Sequence, residues 1–210
     1  MILAIGNPSS GPVNEGYYGK LIEISPNPDP YAGASPSFFI VRTLARGLHE
    51  PVNAARDGAG YLVADRGTTI ADEISFVDFA AVPVELAWPA KEGSKIATGG
   101  PVPNGVVDPL FEYAPKTEGA VGRGIVGGAV SVGTSILDGQ YVFADRGGAI
   151  FTIDVSSLLK GEARTLASAA RRDADFVPDV GKIDHPLALT RGQTFSIYIL
   201  DEDGEVFLVN

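Results

Sequence analysis

Two histidines, two Asp-Arg-Gly triplets and one acidic turn hold most of the chemistry that this 210-residue sequence could carry. His185 follows Asp184, and a neighbouring carboxylate can orient an imidazole and favour its charged form. No motif surrounds the pair, which reads as a surface-loop histidine. Asp201-Glu202-Asp203-Gly204 resembles part of a metal loop but lacks the further ligands that a calcium loop needs, so a solvated hairpin turn explains it. Asp65-Arg66-Gly67 recurs as Asp145-Arg146-Gly147, and an Asp-Arg pair in a loop reads first as a structural ion pair. Gly122-Arg123-Gly124 and Gly127-Gly128 are followed by no Lys-Ser/Thr, which removes a phosphate-cradling loop. No Gly-x-Ser-x-Gly elbow is present either.

Composition narrows the field further. With no cysteine, disulfides and thiolate metal sites are out, and two histidines argue against a His-based zinc site. A net charge of −10 opposes nucleic acid or an anionic membrane as partner, since phosphates would be repelled. No apolar run approaches the roughly 20 residues that cross a bilayer. Met1–Ile5 opens directly into an apolar strand, and no signal peptide is visible. The length suits one core or a modest pair of domains. Twenty-six glycines and 15 prolines beside 45% apolar residues favour many short elements joined by turns, an all-β chain.

The elements that must position these residues centre on Gly47–Val77. Val52–Arg56 is a short strand, Asp57-Gly58-Ala59-Gly60 a turn suited to φ > 0, and Tyr61–Ala64 a buried strand. Asp65-Arg66-Gly67 breaks the run and Glu73–Val77 alternates again, so the stretch reads as one propeller blade. Upstream, strands are expected at Met1–Ile5, Gly19–Ser25 and Phe38–Leu44, with polar or Pro-rich loops at Asn7–Tyr17 and Pro26–Pro36. Asp78–Pro109 is a long irregular passage, a length that marks a functional or surface loop. Its Trp88, the single tryptophan, either packs the passage onto the fold or touches ligand. Downstream strands are expected at Leu110–Ala114, Gly124–Val130, Gly139–Asp145 and Gly148–Val155. A helical turn at Ser156–Lys160 and a strand at Arg164–Ala170 follow, then a polar loop, Asp173–Pro186. Thr194–Leu200 and Glu205–Val209 form a closing hairpin.

Ala64-Asp65-Arg66-Gly67 and Ala144-Asp145-Arg146-Gly147 sit at the same place in their units, so a supersecondary unit repeats. Together with Gly47-Leu48, Pro51, Asp57-Gly58, Asp72-Glu73-Ile74, Leu86-Ala87-Trp88-Pro89 and Asp201-Glu202-Asp203-Gly204-Glu205, they carry a resemblance. The chain resembles the C-terminal half of the soluble glucose/sorbosone dehydrogenases, six-bladed propellers that use pyrroloquinoline quinone (PQQ). The likeness runs from Leu3 to Val209. It implies a partial β-propeller of about three four-stranded blades, with pieces near 1–46, 47–114, 121–172 and 190–210, beginning and ending inside a blade. Three blades cannot close a ring, so open strand edges are expected at Met1–Ile5 and Glu205–Val209. The implied partners are a sugar and, through those edges, a second copy or another chain. Export to the periplasm is implied as well.

The resemblance also assigns a site. The family's catalytic histidine lies in the half of the ring not represented here, so no residue of this chain inherits the role of base. His49-Glu50 stands where the family has an Arg-Asn pair at the quinone, and Arg146 falls near another of its cofactor cations. The quinone carries three carboxylates, so Glu50 would make a like-charge contact costing on the order of a kcal/mol or more. The family's calcium is held partly by backbone carbonyls in the loop that is Gly67–Ala71 here, and carbonyl ligation at Gly67 and Thr68 tolerates changed side chains. Two functions follow: a quinoprotein-type oxidoreductase, or a fragment of one, acting on an aldose; and a non-catalytic propeller module for binding or assembly.

Overall fold

The computed structural model describes residues 1–7, 16–33, 36–97, 100–115, 123–133, 136–162, 164–192 and 196–209. In chain order the strands are β1 (Ile2–Ile5), β2 (Lys20–Pro26), β3 (Phe39–Arg46), β4 (Glu50–Asp57), β5 (Gly60–Arg66), β6 (Asp72–Asp78), β7 (Val84–Glu85), β8 (Lys91–Glu92) and β9 (Lys95–Ile96). They continue with β10 (Phe111–Tyr113), β11 (Ile125–Val130), β12 (Gln140–Asp145), β13 (Ile150–Asp154), β14 (Ala170–Arg171), β15 (Pro186–Arg191), β16 (Ile197–Asp201) and β17 (Val206–Val209). One helix, α1 (Val155–Leu159), begins where Asp154 accepts the Ser157 amide. The chain is therefore nearly all-β, as its composition implies.

The strands form four larger sheets and a small hairpin. Sheet I is ordered β1-β2-β3-β7, sheet II β4-β5-β6-β10, sheet III β11-β12-β13-β14 and sheet IV β15-β16-β17, while β8 and β9 pair alone. Sheets I and II meet at a core of Leu21, Leu44, Leu48, Tyr61, Val63 and Val77. Sheets II and III share Leu62, Ile74, Phe111, Tyr141, Phe143 and Phe151. Sheets III and IV share Val126, Val142, Ile150, Leu189, Ile197 and Ile199. Tyr61 and Val63 thus face one neighbour while Leu62 and Ala64 face the other, which is why β5 is apolar without alternation. Strands β4, β11 and β15 pack beside one another, and Asn53 on β4 reaches β15 by donating to the Leu189 carbonyl at 3.2 Å.

The repeat is visible in the register. Each of β4, β11 and β15 carries a bulge near its start, at Val52, Val126 and Leu187, where pairing with β5, β12 and β16 skips one position. Several expectations need correction. Val84–Glu85 adds a parallel fourth strand to sheet I from inside the passage taken as irregular. Most of the strand expected at Arg164–Ala170 is a 3-10 turn, Leu166–Ser168, leaving only β14. Pro186–Arg191 is a strand rather than a loop ending, which makes the closing element three-stranded. The turn after Asp57 joins β4 to β5, yet neither Gly58 nor Gly60 has positive φ. Gly60 is needed for space, because a Cβ there would press on the Phe76 ring at 2.6 Å. Gly122 and the start of the strand expected from Thr194 lie outside the described residues.

Candidate functional site

The Asp of each Asp-Arg-Gly triplet is a fastener. Asp65, the last residue but one of β5, accepts the amides of His49 (2.8 Å) and Glu50 (2.6 Å) at the entry to β4. Asp145 ends β12 and accepts the amides of Arg123 (3.2 Å) and Gly147 (2.8 Å) and the Tyr113 hydroxyl (3.0 Å). Asp201 ends β16 and accepts the amides of Asp184, His185 and Glu202. One carboxylate thus ties the start of a sheet's first strand to the end of its second, three times over. The arginines do not pair with their own aspartates as expected. Arg66 pairs with Glu50 at 2.8 Å and Arg146 with Glu202 at 3.7 Å.

Around Asp65 the predicted site residues converge. His49 places Nδ1 2.7 Å from the Arg66 carbonyl, so with that nitrogen as donor its Nε2 is left an acceptor. The His49 ring lies 4.2 Å from the Trp88 ring. Trp88 is itself held by its amide on Gly47 O (3.0 Å) and its indole on Asn7 O (3.2 Å), so it packs the long passage down and walls the site. Arg66 also donates to Ile125 O at 3.1 Å, and its aliphatic stem rests on Gly124, where any Cβ would collide with it. The Arg146 amide donates to Gly124 O at 3.0 Å, which puts both arginines at the same end of adjacent sheets. The structure therefore brings His49, Glu50, Gly67 and Thr68 together and sets Arg146 one sheet away. Asp184 does orient His185, at 3.0 Å, but at the start of β15 and half in solvent.

The loop Gly67–Ala71 is organised by a residue with no signal in the sequence, Glu92. Its Oε1 accepts the amides of Thr68 (2.7 Å), Thr69 (3.0 Å), Ile70 (2.8 Å) and Ala71 (3.2 Å), and its Oε2 accepts the Thr68 hydroxyl at 2.7 Å. Gly67 is required there, since a Cβ would overlap Ala71 O and Glu92 Oε1. Nothing near Glu92 in sequence announces this, because its partners lie more than 20 residues back.

Beneath the loop the carboxyls are displaced from their ordinary ranges. Burial raises Asp65 to about 7 against the pull of the His49 and Glu50 amides. Burial likewise raises Asp72 to about 6. Glu73, opposite Asp65 in the β5–β6 register, is raised to about 8 by burial and then by the Asp65 charge. Glu92 is the exception: burial pushes it up, but the Thr68 hydroxyl and the amides of Ile70, Ala71 and Thr69 hold it below the usual carboxylate value.

No protein-family model matches the sequence, and no curated protein matches it. Solved structures do. A glucose dehydrogenase superposes with a TM-score of 0.64 at 18% identity, over 100% of this chain and 59% of its own. An aldose sugar dehydrogenase from Streptomyces coelicolor, in its PQQ-bound form, gives 0.58 at 17%, over 95% of this chain and 52% of its own. The soluble aldose sugar dehydrogenase of Escherichia coli, in its apo form, gives 0.59 at 14%, over 99% and 59%. At these identities the likeness is one of fold. The chain has the fold of a little over half of an aldose sugar or glucose dehydrogenase, as the sequence resemblance implies.

Proposed function

We propose that this chain is part of a β-propeller of the sugar-dehydrogenase type, its sheets I to IV being whole or partial blades, and that it contributes a calcium-holding loop to an aldose oxidoreductase. The observation that carries this reading is the loop Gly67–Ala71. Its peptides are trans, because the cis bonds lie at Val82-Pro83 and Trp88-Pro89. In a trans peptide the N–H and C=O point in opposite directions. Four consecutive amides turned toward Glu92 therefore turn the carbonyls of Gly67, Thr68, Thr69 and Ile70 away from it. Among the described residues no hydrogen bond reaches those four oxygens. Hard carbonyl oxygens on a short loop suit Ca²⁺. Gly67 and Thr68 would hold the ion, whose charge would polarise an oxygen bound to it.

The quinone fits less well. Three carboxylates call for unpaired cations. Here the Arg66 charge is met by Glu50 and the Arg146 charge by Glu202, so the four side chains sum to zero. His49, Glu50 and Arg146 do not by themselves make a PQQ site. This pairing favours the second reading, a binding or assembly module that keeps the blades without the quinone. Among the described residues, the sheet edges at the two ends of the chain support assembly. Strands β1 and β17 each have one neighbour, and an apolar groove of about 490 Å³ runs along β17 beside Phe176, Val180 and Ile183. Export is part of the first reading.

A titration with PQQ in the presence of calcium separates the two. Trp88 lies on His49 and would report an arriving quinone through its fluorescence. Saturable quenching with dye reduction after an aldose is added supports the oxidoreductase. A flat titration well above micromolar PQQ leaves the binding or assembly module.

A further inference from the structure

We propose that Glu92 is the positioning residue that sets the cation affinity of the Gly67–Ala71 loop, by gathering its amides on one face and so presenting its carbonyls on the other. This inference rests on the calcium reading of that loop and concerns what makes the loop competent.

A carbonyl-lined loop is costly to maintain. Its amides must find acceptors, or each buried N–H is left unsatisfied. In most tight loops neighbouring carbonyls serve as those acceptors, which would consume the oxygens that a cation needs. Here a single carboxylate takes all four amides, and its second oxygen takes the Thr68 hydroxyl. Glu92 is itself fixed. It lies on β8, is 5% exposed, and follows a segment held down where Trp88 donates to Gly47 O and Lys91 pairs with Asp108. On the other side Gly93 donates to Glu73 Oε2 at 2.7 Å. The loop cannot drift toward other acceptors without breaking several bonds at once.

The carboxylate acts in two further ways. Its charge lies on the N–H side of peptides whose oxygens face the cation, so it polarises them in the favourable sense. The same charge attracts a cation across the thickness of the loop. A neutral isostere removes both effects while keeping an acceptor oxygen for the amides. Truncation removes the acceptor as well. Glu92→Gln and Glu92→Ala therefore separate charge from geometry.

The test is calorimetric titration of the whole chain with calcium chloride, beside hydrogen exchange at the amides of residues 68–71. We expect the parent to bind one Ca²⁺, Glu92→Gln to bind roughly tenfold more weakly and Glu92→Ala more weakly still, tenfold being about 1.4 kcal/mol. Exchange at Thr68–Ala71 should accelerate at least about tenfold in Glu92→Ala, with Leu62 and Val63 amides unchanged, since loss of one local acceptor opens only the loop. If Glu92→Ala does not fold, Glu92→Gln alone decides. Parent-like calcium affinity in a folded variant overturns the role of Glu92 and leaves the calcium reading standing. No calcium binding by the parent at millimolar concentrations overturns both.

Discussion

Replacing Asp145 by Ala tests whether the Asp-Arg-Gly triplet is a fastener or a remnant of chemistry. Asp145 is fully buried and accepts three donors. One of them, the Tyr113 hydroxyl, comes from the outer strand of sheet II and is buried, with Asp72 as a second carboxylate within its reach. Burial and the Asp145 charge already drive the Tyr113 phenol far above its ordinary range, so it stays a donor. A hydrogen bond to a charged acceptor contributes about 1.5–3 kcal/mol, and Asp72 keeps the hydroxyl from being left without any acceptor. The amides of Arg123 and Gly147 are only part-buried and recover water, adding little. Asp145→Ala should therefore cost about 1.5–3 kcal/mol. For a domain of this size that is a fall in Tm of roughly 3–12 °C. The discriminating assay is a double-mutant cycle with Tyr113→Phe, read by urea unfolding near pH 7. The reasoning requires a coupling energy of about 1.5–3 kcal/mol between the two positions. A coupling below about 0.5 kcal/mol would refute it.

Three further outcomes follow from the same geometry. The Tyr141 hydroxyl is buried inside the sheet II–III core with no partner among the described residues, so Tyr141→Phe should stabilise the protein by about 1 kcal/mol in the same urea assay. Gly60→Ala should destabilise by about 1–3 kcal/mol despite an ordinary φ, because the new methyl meets Phe76 and the Val77 carbonyl; thermal unfolding reads this directly. The pH dependence has a definite sign. Asp72, Asp65 and Glu73 have folded values raised to about 6, 7 and 8, so their contribution is full below about pH 4 and is lost as pH climbs through those values. Glu92 is depressed and acts oppositely, its contribution lost as pH falls through its lowered folded value. Tm should therefore peak in mildly acidic buffer and decline toward pH 8.5; a curve still rising from pH 6 to 8 would contradict the burial of Asp65 and Glu73.

Strands whose partner faces are declared by local pattern were legible in the sequence. Lys20–Pro26 places apolar Leu21, Ile22 and Ile24 between Gly19 and the proline-rich loop, and β5 is a short apolar run because a sheet packs on each of its faces. Val84–Glu85 was not legible, since two residues carry no period and their place is set by a parallel partner some 40 residues earlier. Pro186–Arg191 was hidden by its leading proline, which is tolerated because the strand starts there and bulges at once. At the site, His49 and Gly67-Thr68 came from motif positions and do meet in space. The pairing of Arg66 with Glu50 instead of Asp65 was not readable, because Asp65 is occupied by backbone amides that any sequence would supply. Glu92 was invisible for the same reason: four of its five partners are amides, which leave no trace in residue type.

If the Gly67–Ala71 loop presents a carbonyl face that takes calcium, the ion stabilises the folded chain. Differential scanning calorimetry of the purified chain against increasing calcium tests it most directly, because an ion that binds only the folded state raises Tm by mass action. The account predicts a Tm that climbs with calcium and levels in its logarithmic slope as a single site should, with magnesium giving a much smaller rise because it demands a tighter octahedral shell. A Tm indifferent to calcium up to millimolar concentrations, or raised equally by magnesium, would contradict it.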